Sequence, residues 1–207
     1  MSPVRLILAS ASPRRADLLR AAGLTFETMS VEVDERARSD ETPEEYVRRL
    51  AAAKSSRALE QLSGSPEAGR RDVVLGADTV VVVDGELLGK PRDAGDARRM
   101  IDRLSGRRHD VFTGVSLRRS DLELNGVAAT AVFFAPISTA DIDWYVETGE
   151  GLDKAGGYAI QGFASRFVER IDGSYSNVVG LPVAVVYALL AELGQVNGAS
   201  GDLASEG

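Results

Sequence analysis

An apolar, β-branched run at residues 73–83, VVLGADTVVVV, constrains this chain more than any other segment. Its composition predicts a buried strand, and Asp84-Gly85 behind it is a hairpin turn signal. Asp78 is the only carboxylate in the run, and a buried charge is costly unless it is paired or bound to a metal. Asp78 is therefore a candidate metal ligand or catalytic base. The alternative is a structural aspartate in a bend beside Gly76.

Strand and helix signals alternate along the rest of the chain, which predicts an α/β architecture. Capping residues and glycines delimit most of the elements, as in the capping box TPEE at residues 42–45. The expected strands are 4–8, 25–31, 73–83 with a returning strand at 86–88, 111–117, 127–134 and 167–171. The expected helices are 13–22, 43–62, 93–104, 138–146 and 182–193. We expect one domain at residues 1–194, loops at 63–72 and 149–162, and a frayed Gly/Ser/Ala-rich tail at 195–207.

The residue types available exclude several kinds of site. The 207 residues contain no cysteine and one histidine, His109. Disulfides, thiolate metal sites, cysteine nucleophiles and multi-histidine metal sites are therefore excluded. A metal would need mostly oxygen ligands, which indicates Mg²⁺ or Mn²⁺ held partly by substrate phosphates. His109 itself precedes an alternating strand and is expected to be a structural, hydrogen-bonded histidine.

The net charge of −7 argues against nonspecific nucleic-acid binding, which needs a continuous basic face. It leaves room for a small anionic substrate in a local basic pocket. Near the N-terminus only residues 6–9 form an apolar run, which is too short for a signal peptide or a membrane span. The absence of cysteine fits a reducing cytoplasm, so a cytoplasmic protein without membrane partners is expected.

A second candidate site lies in the segment SASPRR, residues 10–15, where a predicted strand turns into a helix. Helix N-termini hold anions well, through free N–H groups and a positive dipole end. Arg14 and Arg15 in the first turn repel that end, and an anion between them would reverse this penalty. We therefore predict an anion site here. The alternative is an ordinary capped helix whose arginines point to water.

Two lysines are further candidates. Lys54 belongs to a stripe of otherwise apolar residues at core-facing helical spacing, so it either snorkels to water or points its ammonium into a pocket. Lys90 follows Gly89, but the spacing to Gly85 and the proline at 91 do not fit a P-loop. Lys90 can still contact phosphate from a loop. In the glycine-rich loop at residues 149–162, Gln161 has an amide that can donate a hydrogen bond to, and accept one from, the edge of a nucleobase.

Four motifs in order resemble the Maf family of nucleotide pyrophosphatases: LASASPRR at 8–15, GADTVV at 76–81, GKP at 89–91 and DKAGGY at 153–158. NVVGLP at 177–182 supports them. The resemblance implies a mixed, elongated sheet flanked by helices, with a cleft between two lobes, as in the inosine-triphosphate pyrophosphatases. It also implies a divalent cation and hydrolysis of a nucleoside triphosphate between the α and β phosphates.

The resemblance also assigns roles by motif position. Asp78 would be the catalytic carboxylate and a metal ligand, and Glu35 a second acidic group near the metal. Phosphate binding would fall to Ser10, Arg15, Lys54 and Lys90. The branch of the family that acts on dTTP and UTP is similar at Arg14, Thr79 and Gln161.

The expected role is cleaning of the nucleotide pool, with dTTP, UTP and modified pyrimidine nucleotides as substrates. One alternative is a preference for 7-methylguanosine triphosphate, whose family branch differs around the glycine loop. Another is a non-enzymatic regulator of cell division, which would not need Asp78 in an apolar strand. A twofold homodimer is the default expectation for a soluble oligomer.

Overall fold

The computed structural model describes residues 5–63, 72–119 and 122–194. Within them, seven strands form one mixed sheet with the order β2-β1-β3-β5-β6-β7, and β4 pairs with β3 beside β1. The three strands β2, β1 and β3 are parallel, and all other pairings are antiparallel. The strands are β1 Arg5–Ala9, β2 Glu27–Thr28, β3 Asp72–Val83, β4 Glu86–Leu88, β5 Arg108–Arg119, β6 Leu122–Phe134 and β7 Val168–Asp172.

Helices cover this sheet, which confirms the predicted α/β class. They are α1 Pro13–Ala21, α2 Pro43–Ser63, α3 Ala94–Leu104, α4 Thr139–Glu147, α5 Tyr175–Val179 and α6 Val183–Glu192. The predicted capping box is confirmed, since Glu45 N donates to Thr42 Oγ1 at 3.3 Å and Thr42 N donates to Glu45 Oε2 at 2.9 Å. Within the described residues, no helix combines the length and apolar character that a membrane span requires.

Several predicted boundaries were wrong. The strand expected at 25–31 is reduced to Glu27–Thr28, because only these residues pair with the end of β1. Strands β5 and β6 are longer than predicted, since they pair with each other along almost their whole lengths. Ser12 is the N-cap of α1, but its side chain makes no capping bond. The predicted tail and most of the loop at 63–72 lie outside the described residues.

The apolar core divides into two main parts along β3. The first half of β3 packs with α1 and α6, and this part of the core includes Leu75, Leu19 and Leu189. The second half packs with α3, α4 and the glycine-rich loop, and this part of the core includes Val81 and Tyr145. Asp78 lies in β3 between these two parts. The division places the carboxylate at the boundary between these two parts of the core.

Helix α2 lies unusually close to the sheet. A Cβ atom on Gly76 would stand 2.2 Å from the Ala51 carbonyl oxygen, and one on Gly114 would stand 2.3 Å from the Val47 carbonyl oxygen. Real side chains do not tolerate such contacts, so both strands need glycine where the helix crosses them. The crossing brings Lys54 of α2 over β3.

His109 is buried, as expected of a structural histidine, and its Nε2 lies 2.9 Å from the Tyr158 hydroxyl. Its ring meets the rings of Phe134 and Tyr158 edge-on. Burial disfavours the charged imidazolium and lowers the pKa of His109 to about 4. This histidine is therefore neutral in the folded protein at pH 6, where an unfolded chain would already bind a proton.

The lowered pKa of His109 predicts that the protein loses stability in mild acid. Between pH 6.5 and 4 the unfolded chain binds more protons at this site than the folded protein, so the free energy of unfolding falls as pH falls. Between pH 7 and pH 5 the His109 contribution should decrease by about 2 kcal/mol. Denaturant unfolding of wild type and His109→Gln at both pH values measures this contribution. The carboxylates titrate in both proteins, so their effect is removed when the two free energies of unfolding are subtracted. Equal pH dependence in the two proteins would contradict the buried neutral state.

Candidate active site

The candidate site lies at an open stretch of the edge of β3. Strand β1 pairs with β3 only as far as Gly76, and β4 begins to pair at Val81. Among the described residues, no strand lies beside the backbone between Gly76 and Val81 on this edge. Asp78 and Thr79 occupy this gap, and their side chains point to opposite faces of the sheet. The carboxyl end of β1 and the start of α1 adjoin the same gap, the usual place for a ligand in an open α/β sheet.

Lys54, Asp78 and Glu35 form a compact charged cluster. The Lys54 ammonium lies 2.6 Å from Asp78 Oδ1 and 2.7 Å from Glu35 Oε1. Lys54 and Asp78 are buried, whereas the Glu35 side chain is half exposed. Burial alone would raise the pKa of Glu35, but the hydrogen bond and the charge of Lys54 lower it. Of the two placements left open for Lys54, the structure shows the pocket rather than the solvent.

Arg15 crosses from α1 to β3 and fixes three segments together. Its Nε donates to the Gly180 carbonyl at 2.7 Å, and its Nη1 donates to the Ala77 carbonyl at 2.9 Å. Nη2 donates to Thr79 Oγ1 at 3.0 Å, and Nη1 also contacts Ser10 Oγ at 3.2 Å. Burial lowers the pKa of Arg15. The guanidinium thus supports the wall of the site as well as supplying positive charge to it.

Ser10 supplies a side-chain hydrogen bond in the turn that precedes α1. Its Oγ accepts a hydrogen bond from the backbone N–H of Ser12 at 3.2 Å. Ser10 therefore orders the turn between β1 and α1. Residues 9–15 of this turn border the same cavity as Asp78, so the start of α1 faces the cluster.

Two adjoining cavities open at the gap. The larger, of about 360 Å³, is bordered by eight of the nine predicted site residues. These are Ser10, Arg14, Arg15, Glu35, Lys54, Asp78, Thr79 and Lys90. The smaller, of about 40 Å³, is bordered by the ninth, Gln161, together with Val81 and Tyr158. Arg14 and Thr79 border both cavities, so one ligand can occupy both.

Arg14, a predicted substrate-binding residue, is paired with a carboxylate of the protein. Its Nη1 lies 3.1 Å from Asp153 Oδ2 in the glycine-rich loop. The ammonium of Lys154 contacts the same carboxylate, with Nζ 2.5 Å from Oδ1. Burial would raise the pKa of Asp153, but Lys154 and Arg14 together lower it. This ion pair joins α1 to the loop across the place where the two cavities meet.

The loop that carries Glu35 is fastened to α2 by contacts that no sequence signal predicted. The Tyr46 hydroxyl donates to the Glu35 carbonyl at 2.9 Å. Arg49 forms a forked pair with the Glu41 carboxylate at 2.6 and 2.7 Å and donates to the Arg36 carbonyl at 3.1 Å. Burial, with the charges of Asp78 and Glu35, raises the pKa of Tyr46 to about 12. The tyrosine therefore stays a neutral donor at physiological pH.

The carboxylates of the site fit a metal that is also bound by water and by substrate. No cluster of three or more His, Cys, Asp or Glu side chains suited to a metal occurs among residues 5–63, 72–119 and 122–194. Asp78 and Glu35 nevertheless converge on one cationic group, the Lys54 ammonium. Two carboxylates beside a phosphate-sized cavity match Mg²⁺, which is commonly held by one or two carboxylates, waters and substrate phosphates.

Comparison with known proteins decides the family. The family model described as Maf-like protein matches residues 5–193. The chain belongs to this Maf-like family. A dTTP/UTP pyrophosphatase of Anaeromyxobacter dehalogenans is 52% identical over 198 residues, which cover 94% of this chain and 96% of that protein. A relative of the same name in Symbiobacterium thermophilum is 50% identical over 190 residues, or 92% of this chain and 94% of that protein.

A solved structure supports the fold of this Maf-like chain. The Staphylococcus aureus Ham1 protein superposes with a TM-score of 0.52 over 91% of this chain and 99% of its own, at 15% sequence identity. At that identity the likeness concerns the fold alone. It confirms the predicted fold class.

Proposed function

We propose that this chain hydrolyses a nucleoside triphosphate of the dTTP or UTP type to the monophosphate and pyrophosphate. The observation that carries the proposal is the buried Lys54–Asp78 pair, at 2.6 Å, inside a cavity that Arg15 and Lys90 also border. Relatives about half identical along nearly the whole chain are named dTTP/UTP pyrophosphatases, which supports this activity.

The larger cavity is suited to the triphosphate. Lys54 and Lys90 supply positive charge, and the start of α1 supplies N–H groups at the other wall. The Nε and Nη1 groups of Arg15 donate to backbone carbonyls of the protein. Its role is therefore to position Thr79 and the backbone that borders the cavity, and to add positive charge. These groups neutralise the triphosphate and the charge that develops on the leaving pyrophosphate.

Asp78 is the group placed to activate water. A water beside the carboxylate attacks the α-phosphorus and gives its proton to Asp78. The bond from the α-phosphorus to the oxygen that bridges to the β-phosphate breaks, and pyrophosphate leaves against the lysines. A divalent cation such as Mg²⁺ or Mn²⁺, held by Asp78, Glu35 and the substrate's phosphate oxygens, would further neutralise the triphosphate.

The smaller cavity is suited to a single-ring base. Its wall combines apolar groups such as Val81 with the ring of Tyr158, and Gln161 stands at its exposed rim. An amide there can donate to and accept from a pyrimidine edge. The relatives named dTTP/UTP pyrophosphatases support a pyrimidine as the base that lies here. Arg14 and its Asp153 partner lie between base and phosphates, so this pair must adjust when a nucleotide enters.

A nucleotide panel tests the proposal. Pyrophosphate release with Mg²⁺ should be faster from dTTP and UTP than from ATP, GTP or 7-methylguanosine triphosphate. One missing or ill-fitting group in such a pocket changes kcat/KM by about 10- to 200-fold. A purine triphosphate cleaved tenfold faster than UTP would contradict the assignment of the smaller cavity. No release from any triphosphate, with Mg²⁺ or Mn²⁺, would favour a non-enzymatic role.

A further inference from the structure

The lysines of this chain are confined to the proposed active site. Lysine and arginine together number 24, and only three of them are lysines: Lys54, Lys90 and Lys154. Lys54 and Lys90 border the larger cavity, and Lys154 borders the smaller one. Every other basic side chain of these two types is an arginine, which does not lose its proton in proteins. The side-chain amines of the whole chain are therefore gathered at two adjoining cavities.

Two of the three amines are held by protein groups. The Lys54 ammonium contacts Asp78 and Glu35 at 2.6 and 2.7 Å. The Lys154 ammonium contacts the Glu150 carbonyl and the Asp153 carboxylate, both at 2.5 Å. An ammonium held in this way points its N–H bonds at oxygen atoms of the protein, so its nitrogen is not turned toward an incoming electrophile.

Lys90 differs from both. It is exposed, and it has no salt-bridge partner among the residues that the structure describes. Its backbone is held on both sides, because the preceding Gly89 carbonyl accepts a hydrogen bond from Gly156 N at 3.0 Å and the following Pro91 is buried. The Lys90 amine is thus free at the mouth of the larger cavity on a well-fixed loop.

We propose that Lys90 is a modification site for acyl phosphates, and that its acylation inactivates the protein. The cations of the larger cavity hold the phosphate end of the reagent, which brings the acyl carbon to the Lys90 amine. This step relies on the proposed phosphate-binding role of the cavity. Proximity of this kind raises the rate of a reaction that would otherwise depend on random collision.

The reaction needs no further reagent. The ammonium of Lys90 first loses a proton to solvent, and the neutral amine attacks the carbonyl carbon of the acyl phosphate. An N–C bond forms, the C–O bond to the phosphate breaks, and inorganic phosphate leaves. The second amine proton passes to solvent and an amide remains. The amide has no charge, so the cavity loses one of its phosphate-binding cations.

The test compares two acetyl donors, acetyl phosphate and the acetyl ester of N-hydroxysuccinimide, which has no phosphate. Peptide mass spectrometry follows acetylation of the three lysines and the N-terminal amine over time, with and without inorganic pyrophosphate. With acetyl phosphate, Lys90 should react about tenfold or more faster than Lys54, Lys154 and the N-terminal amine. Pyrophosphate should suppress this preference, and hydrolysis of UTP should fall in step with Lys90 acetylation.

The Lys90→Arg variant is the matched control, because it keeps the charge and removes the nucleophile. Its acetylation by acetyl phosphate should be limited to the slow sites. Lys90 acetylation no faster than that of the N-terminal amine, or indifferent to pyrophosphate, overturns the proposal, as does full activity after complete acetylation of Lys90. Mass spectrometry reads the labelling even in a protein that hydrolyses nothing, so failure of the proposed hydrolysis is recognised separately.

Discussion

Turnover of Asp78→Asn should fall by about 10³-fold or more, the range expected when a general base is lost. Asparagine keeps the size and an acceptor oxygen for Lys54, which remains paired with Glu35 at 2.7 Å. The variant loses only the charge assistance of one hydrogen bond, so its stability should change by about 1 kcal/mol. Thermal melting measures the change in stability, and the rate of pyrophosphate release from UTP measures the change in turnover.

Asp96→Asn is the matched control for this experiment. Asp96 is also a buried carboxylate, but it lies in α3 and accepts hydrogen bonds from Arg92 and Arg99. These contacts lower the pKa of Asp96 to about 2, so the variant should melt earlier. Its turnover should stay close to that of wild type. If Asp78→Asn instead resembled this control, melting early while still hydrolysing UTP, Asp78 would be a structural aspartate.

The sequence predicted the centre of the site because each of its central residues broke a local pattern. Asp78 is a carboxylate in an apolar strand, and Lys54 is a cation in an apolar helical stripe. Such exceptions are costly to fold, so the residue pattern marked both as candidates, although it left open a structural aspartate and a lysine that snorkels to water. The helices were predicted well for a related reason, since their caps, such as Thr42 and Glu45, are local signals.

The supporting contacts could not be predicted in the same way. Arg15 reaches the Gly180 carbonyl across 165 positions, and Arg14 reaches Asp153 across 139. Neither hydrophobic periodicity nor a capping residue indicates a contact between residues so far apart in the sequence. Tyr46 and Arg49 were missed because a tyrosine and an arginine on an amphipathic helix look like ordinary surface residues. Their partners include backbone carbonyls of Glu35 and Arg36, which no side-chain pattern reveals.

The short β2 has a similar explanation. Residues 25–31 have strand-like composition, but only Glu27–Thr28 pairs with β1, and the last backbone hydrogen bond runs from Met29 N to the Leu8 carbonyl at 2.9 Å. Beyond them the chain turns toward α2 and carries Glu35 to the cavity. A strand extending through this segment would have lain along the sheet edge. Strand propensity was overridden here by the tertiary path of the chain, which brings the Glu35 carboxylate to Lys54.

Gly76→Ala should damage both stability and activity, through the packing of one helix. The added methyl would meet the Ala51 carbonyl oxygen at 2.2 Å and the Ser55 nitrogen at 2.8 Å, both backbone atoms of α2. Neither can move without the helix, and overpacking of this kind costs about 3 kcal/mol. For a domain of this size that corresponds to a decrease in Tm of about 10 °C. Differential scanning calorimetry or thermal melting provides the measurement.

The same displacement should move Lys54, which lies between Ala51 and Ser55 on the face of α2 that meets β3. A shift of about 1 Å in such a group can reduce kcat/KM by about 10²-fold, even where the protein is fully folded. Hydrolysis of UTP is therefore measured well below the variant's Tm. Gly89→Ala serves as the stability control, since a Cβ there meets no atom within 4 Å. If Gly76→Ala melted like this control and kept normal turnover, α2 would not be in close contact with β3. If it melted early but hydrolysed normally when folded, the helix could shift without carrying Lys54 away from Asp78, and close packing would serve the fold alone.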